Sequence, residues 1–250
     1  MLKMLVILLP SGIQALALPG METNRAGAHL VPELTYLLKE VPTFSDLAPE
    51  ALQSLAANGR RHTFKKNTII MPEGEYGECL YIIASGSVKV FVGDDDGREL
   101  VLYQEGPGSC IGDISLLDDA PRSASVVTLE KTVAWSLSKR DFLSCIEQNP
   151  QISLNIIRTL TRRLRDATGG IRSLALDNVY RRLADKLIEL AVEQDGTLAL
   201  ERHYSQQDLG NMIGASREMV GKVISELVSG AYIELRDKRI HILKNFPRNW

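Results

Sequence analysis

The spacing of apolar residues changes period several times along the chain, and each change marks a different kind of element. Residues 31–60 carry helical spacing. Within them "APEALQSLAANGR" sets Pro49 at a helix start, good helix formers behind it and Gly59 where a helix would end. From about 62 to 137 the texture turns to short β-rich runs cut by glycines. "CLYIIASGSVKVFVGDDDGRELVLY" contains three such runs, with turns at Ser85-Gly86 and Asp94-Asp95-Asp96-Gly97, and "ASVVTLEKTVAWSLS" adds two more. Closely spaced short strands with glycine turns predict a small antiparallel barrel or roll.

Helical spacing then returns. Ser138-Lys139-Arg140-Asp141 reads as a capping box opening the helix "RDFLSCIEQ". After Asn149-Pro150, "QISLNIIRTLTRRLRDATGGIRSLAL" places Ile157, Leu160, Leu164, Ala167, Ile171 and Leu174 at alternating gaps of three and four. That is heptad a/d spacing, the seam by which one helix packs along another; the alternative is a helix packed on its own domain. Gly169-Gly170 costs about 1 kcal/mol each against alanine inside a helix, so local pliability or a close approach is expected there. Asp177-Asn178 marks a break before a further helix, "VYRRLADKLIELAVEQ".

The stretch "YSQQDLGNMIGASREMVGKVISELVSGAYIELRDKRIHIL" is the most informative. Ser205 with Asp208 forms a second capping box, opening a helix that runs to about Ile213. Gly214-Ala215-Ser216 makes a tight turn, with Ser216 capping the next helix. There Val220, Val223, Ile224 and Leu227 share one face, while Arg217, Glu218, Gly221, Lys222 and Ser225 share the other. Two short helices about a three-residue turn, the second exposing Arg, Glu and Lys near its start, form a helix-turn-helix. Arg217 suits a bidentate pair to guanine, Glu218 accepts from cytosine N4, and Lys222 donates to guanine or phosphate. Gly221 is expected to let that face approach DNA closely. The hairpin after it supplies a basic turn, Arg236-Asp237-Lys238-Arg239, as a wing.

Composition narrows the field. A hydrophobic content of 44% and a charged content of 24% are those of an ordinary globular protein long enough to bury a real core. The net charge of −2 gives no general affinity for nucleic acid or membranes. Residues 161–250, however, hold 15 of the 29 Lys/Arg and only 12 of the 31 Asp/Glu, a basic bias at the helix-turn-helix end. Cys79, Cys110 and Cys145 are scattered, which argues against a zinc or iron–sulfur site and for a reducing, cytoplasmic setting. No nucleophile–base pair, metal spacing or phosphate-transfer loop is seen, so an enzyme is not expected. The start, "MLKMLVILLPSGIQALALPGM", superficially resembles a secretory signal, but Pro10-Ser11-Gly12 breaks a run too short for a membrane span of about 20 residues. It reads better as an extension.

The motifs "IGDISLLDDAPRSA", "LTRRLRDATGG" and "SQQDLGNMIGASREMVGKVISEL", in that order, resemble the Crp/Fnr family of cyclic-nucleotide-receptor transcription factors from about residue 31 to 244. The resemblance implies an α+β chain with an antiparallel, jelly-roll-like β-roll sensor domain, a long dimerisation helix and a C-terminal winged helix-turn-helix. The expected boundaries are 1–28 for an N-terminal extension without fixed structure, 29–148 for the roll, 149–177 for the dimerisation helix and hinge, and 178–250 for the DNA-binding domain. It implies double-stranded DNA, a second copy of the chain and RNA polymerase as partners, and no membrane. Arg217, Glu218 and Lys222 fall on base-contacting positions, with Ser205 and Gln207 near phosphate and Ser216 at the cap. Lys222 stands where the best-known members have arginine, which weakens bidentate readout.

The same resemblance makes Gly112 to Ser123 a pocket for a cyclic nucleotide, with no covalently bound cofactor. Gly112 permits close approach, amides of Asp113 and Ile114 face the phosphate, Arg122 neutralises it and Ser123 adds a hydrogen bond. Family members usually have glutamate at Asp113 to accept from the ribose. Aspartate is one methylene shorter, about 1.5 Å of reach. Arg163 matches a helix arginine that pairs with that acid. Ala167 and Thr168 fall where cAMP-binding members touch the adenine with hydroxyls, and only Thr168 keeps one. The effector expected first is cAMP; cGMP, a cyclic dinucleotide, and a ligand-free structural turn are the alternatives. A haem sensor would need axial ligands that His29, His62, His203 and His241 do not suggest, and an Fnr-type cysteine cluster is absent. A cyclic-nucleotide-binding module that docks protein instead of DNA is the remaining competitor.

Overall fold

The computed structural model describes residues 30–194 and 196–247; the expectation about residues 1–28 lies outside them. The chain opens with helices α1 (Leu30–Glu40) and α2 (Pro49–Ala57), the latter with proline in its first turn and Asn58 closing it. Strands β1 (Arg60–Phe64), β2 (Ile69–Met71), β3 (Cys79–Ser85), β4 (Val88–Gly93), β5 (Glu99–Glu105) and β6 (Cys110–Ile111) follow, then the one-turn helix α3 (Ile114–Leu117) and strands β7 (Ser125–Thr128) and β8 (Thr132–Ser138). They form two four-stranded antiparallel sheets, ordered β1-β8-β3-β6 and β2-β7-β4-β5, the roll read from the sequence.

Strand alternation decides what lies on each side of the first sheet. Leu80, Ile82, Trp135 and Leu137 point to the helices, where they join Leu34, Leu38, Phe44 and Phe142 in one core. Ile83 and Ala134 point the other way and pack with Met71, Val90, Ile111 and Val126 between the sheets. A small cavity sits at the edge of that second, smaller core.

Ser138 caps α4 (Lys139–Gln148) by accepting from the Asp141 amide at 3.1 Å. The reciprocal bond from the Ser138 amide is not made; Ser138 Oγ instead donates to the Asp141 carboxylate at 2.6 Å. Helix α5 (Gln151–Leu176) follows, 26 residues in length, or about 39 Å. It runs unbroken through Gly169-Gly170, where a Cβ would meet nothing within 4 Å. The close approach expected there is not made within the chain. The seam residues Ile157, Leu164, Ile171 and Leu174 are 57%, 67%, 68% and 43% exposed, so the apolar stripe is not covered by its own domain.

Asn178 breaks the helix and caps α6 (Val179–Leu190) through the Arg181 amide at 2.8 Å. "AVEQ", expected to continue that helix, instead forms strand β9 (Ala191–Gln194), paired with β10 (Thr197–Leu200). A sheet edge claims these residues, which tertiary pairing rather than local preference decides. Helices α7 (Gln206–Ile213) and α8 (Arg217–Ser229) and the hairpin β11 (Ile233–Arg236) and β12 (Arg239–Ile242) complete the C-terminal domain. Its core holds Leu183, Leu187, Leu209, Val220, Leu227 and Ile240 among others. Among the described residues no helix is long and apolar enough to cross a membrane, and no cluster of His, Cys, Asp or Glu is placed to hold a metal ion.

Candidate functional site

Two sites emerge, one in the roll and one on the C-terminal helices. The roll site is a small cavity of about 50 Å³ lined by Met71, Tyr103, Gly112, Asp113, Arg122 and Ser123 among others, which is room for a few waters. Gly112 has φ +81°, and a Cβ there would fall 2.5 Å from Met71 Cε and 2.6 Å from Arg122 Nη1. Both the turn and the crowding therefore require glycine. The loop before β3 pairs with the cassette: the Gly74 amide donates to Arg122 O, and the Arg122 amide to Glu75 O, both at 2.9 Å.

Arg122 is half-buried and poorly matched. Its Nη2 donates to the Cys79 carbonyl at 2.9 Å, while Nη1 meets only the Met71 thioether at 3.1 Å and Ser115 Oγ at 3.4 Å. No carboxylate among the described residues lies within 4.0 Å of it. A thioether is a weak acceptor, so this guanidinium retains most of its capacity for an anion. Ser123 is exposed at the rim.

The acid beside it is engaged quite differently. Asp113 is 5% exposed, and Arg163 Nη1 approaches its two oxygens at 3.1 and 3.3 Å. Arg163 Nη2 donates to the Cys110 carbonyl at 3.0 Å and stands 4.0 Å from Glu105, and the guanidinium lies 5.6 Å from the Tyr103 ring centroid. This cluster ties α5 to the roll. Burial, reinforced by Asp113, pushes the Cys110 thiol well above its ordinary range, so it stays protonated and unreactive. Burial also pushes the Tyr103 phenol upward.

Thr168 is not brought to the cavity. It lies farther along α5, exposed, with its hydroxyl donating to the Leu164 carbonyl of its own helix at 2.8 Å, and Ala167 is likewise exposed. Met71, Val90, Tyr103 and Val126, which line the cavity from four strands, β2, β4, β5 and β7, were missed in the sequence, where nothing in their spacing sets them apart from core residues.

The second site is built by capping. Ser205 and Asp208 form the full reciprocal box, with Ser205 Oγ accepting from the Asp208 amide at 3.1 Å and Asp208 accepting from the Ser205 amide at 2.9 Å. Gly214 turns the chain with φ +63°. Ser216 then caps α8 through the Met219 amide at 3.2 Å. Val220, Val223, Ile224 and Leu227 are buried, which leaves Arg217, Glu218, Lys222 and Ser225 exposed on one face. Glu218's own backbone amide, then the Ser216 hydroxyl, hold its carboxyl below the ordinary range, so it is ionised and an acceptor. Gln207 donates to Asn211 at 2.7 Å, and Asn211 reaches Glu99 of β5 at 3.3 Å, linking the two domains. Gly221 lies on α8 beside Gln206. A Cβ there would fall 3.0 Å from the flexible amide end of Gln206 on α7.

Comparison with known proteins places both halves. A model of the cyclic nucleotide-binding domain matches residues 61–149, and one of the Crp-like helix-turn-helix domain matches residues 181–245. Roll, long helix and reading helix thus define a DNA-binding transcription regulator with a sensor domain of the cyclic-nucleotide type, and not an enzyme. The chain is 31% identical over 210 residues to the CRP-like cAMP-activated global transcriptional regulator of Mycobacterium tuberculosis, covering 82% of this chain and 94% of that one. It is 33% identical to the cyclic AMP receptor protein of Thermus thermophilus, over 79% of this chain and 90% of that one. Among solved structures, the c-di-GMP-responsive global regulator CLP of Xanthomonas campestris aligns with a TM-score of 0.70 at 25% identity, over 79% of this chain and all of the other. The chain belongs to the Crp/Fnr family of transcription regulators.

Proposed function

We propose that this regulator is a homodimer that binds paired DNA half-sites and is controlled by a cyclic nucleotide, with cAMP the first candidate. The observation that carries the effector reading is Arg122, a half-buried cation whose Nη1 meets a thioether and a distant hydroxyl. A cyclic phosphate is a far better partner for it than Met71. Gly112 leaves room for the ligand backbone-close, amides of Asp113 and Ile114 open the α3 turn toward it, and Ser123 stands at the rim. Arg163 connects the site to α5.

The exposed stripe of Ile157, Leu164, Ile171 and Leu174 supports α5 as the dimer seam. A two-fold axis along it sets two α8 helices against half-sites about 34 Å apart. Arg217, Glu218 and Lys222 then face bases, and Ser205, Gln207 and Ser216 lie near phosphate. A ligand that changes how α5 meets the roll biases the hinge at Asp177-Asn178 and so the reach of the two helices. RNA polymerase is the partner this regulator type implies. A cyclic dinucleotide is the second reading, favoured by the likeness to a regulator described as c-di-GMP-responsive.

Calorimetric titration with cAMP, cGMP and cyclic di-GMP tests the effector. One of them should bind the full chain, and Arg122→Ala should weaken that binding at least tenfold. No heat with any of the three, under conditions where the protein is folded, discards the cyclic-nucleotide reading in favour of a ligand-free cassette.

A further inference from the structure

The helix-turn-helix touches the roll away from the hinge. Helix α7 packs on β5, where Asn211 Nδ2 donates to Glu99 Oε2 at 3.3 Å and Glu99 also pairs with Lys89 of β4. Arg202, in the loop before α7, donates to Gln104 Oε1 at 3.2 Å. Glu99 and Gln104 are five positions apart, a spacing that sends residues to opposite faces of a regular strand. A β-bulge brings them to one face. Val90 pairs with Tyr103 and Phe91 with Val101, so Leu102 is the extra residue. Gln104 and Glu99 then lie opposite Lys89 and Gly93, which share a side of β4.

The turn between α7 and α8 is gripped by three elements. A Cβ on Gly214 would fall 2.9 Å from Leu174 Cδ2 of α5 and 3.5 Å from Leu100 Cδ1 of β5. Arg182 of α6 donates from Nε to the Ile213 carbonyl at 2.9 Å and from Nη1 to the Asp177 carbonyl at 2.8 Å, which ties the turn to the hinge. None of these contacts uses Arg217, Glu218 or Lys222, which stay exposed just beyond the turn. The docked arrangement therefore leaves the α8 face open. A hinge alone leaves two domains free to move against each other. A second support on β5 restricts that freedom.

We infer that the Glu99–Leu100 end of β5 is a strut that fixes the angle at which α8 is presented, and that Glu99, Leu100 and Asn211 are positioning residues for half-site spacing. The inference rests on the paired half-site reading above. In a dimer built on α5, each α8 is placed relative to the seam. One base pair added between half-sites moves them apart by about 3.4 Å and turns them by about 35°. A helix-turn-helix held by both hinge and strut cannot follow that change, whereas one held by the hinge alone can.

The test is a gel shift with a duplex selected from random sequence by the full wild-type chain, with cAMP, cGMP and cyclic di-GMP supplied together. It is compared with duplexes carrying one base pair more or fewer at the centre, and with a single half-site. Wild type should lose about tenfold or more on each respaced duplex. The double variant Glu99→Ala, Leu100→Ala, verified as folded by a thermal melt, should bind the respaced duplexes within about threefold of the selected one, with half-site affinity unchanged. Glu99→Gln with Leu100→Met keeps the acceptor and the apolar contact and should restore the spacing preference. A larger spacing penalty in the double alanine variant overturns the inference, and so does a loss of half-site affinity, which would make the contact a support of the α8 fold only. Should that variant not fold, Asn211→Ala opens the contact from the α7 side and the same thresholds decide. If wild type itself ignores spacing, the paired half-site reading fails instead, a result seen without any substitution.

Discussion

Two clusters of charged residues in this molecule are handled in opposite ways. In the roll, Arg163, Asp113 and Glu105 face one another around a half-buried tyrosine, and the Arg163 and Asp113 side chains are 18% and 7% exposed. On α8, Arg217, Glu218 and Lys222 stand in solvent on the face opposite a buried apolar row. Buried charges satisfied by each other hold elements together, and removing one partner is costly. Exposed charges on a rigid, capped helix contribute little to folding and are available to a partner. Arg122 lies between these limits, half-buried and only partly matched, which is why we propose it for the effector site.

The sharpest way to break this contrast is Arg163→Ala. It strands a buried carboxylate, so stability should fall by about 3–5 kcal/mol in urea unfolding. A loss below about 1 kcal/mol, the range of exposed ion pairs, would mean that the cluster is not a lock.

A pair of glycine substitutions comes next. Gly112→Ala meets a positive φ and two side chains within 3 Å, and should cost about 1–3 kcal/mol. Gly221→Ala meets only the flexible amide end of Gln206 at 3.0 Å, and alanine returns about 1 kcal/mol of helix propensity. Its melt should match or slightly exceed wild type. Equal destabilisation of both would show that the α7–α8 contact is as rigid as the cassette.

Arg217→Ala should have the smallest effect on folding, within about 0.5 kcal/mol. Its effect belongs in a gel-shift assay, where operator affinity should fall by about 1–3 kcal/mol per half-site and leave weak, salt-dependent binding. An operator affinity equal to wild type removes Arg217 from base reading.

The exposed polar face of α8 was legible in the sequence for a simple reason. Helical period, caps and turn residues act over three or four positions, so Ser205, Asp208, Gly214 and Ser216 announce both helices, and the burial of Val220 and Leu227 follows. The roll was legible as short strands and glycine turns, but β9 was not, because "AVEQ" has no strand signal of its own and is held by pairing with Thr197 to Leu200. The nearness of Gly221 to Gln206 was not legible, because Gln206 sits on another helix.

By itself, then, the sequence determined what depends on local order. It specified a glycine-acid cassette ending in Arg122, a heptad stripe on a long helix and a capped helix-turn-helix with Arg217, Glu218 and Lys222 outward. Only the tertiary structure decided which charges meet. Arg163 and Asp113 are 50 positions apart and lie within 3.1 Å. Tyr103 and Met71 reach the same cavity from separate strands. Such pairings depend on how the sheets and α5 pack in space, a long-range outcome that no short-range periodicity encodes.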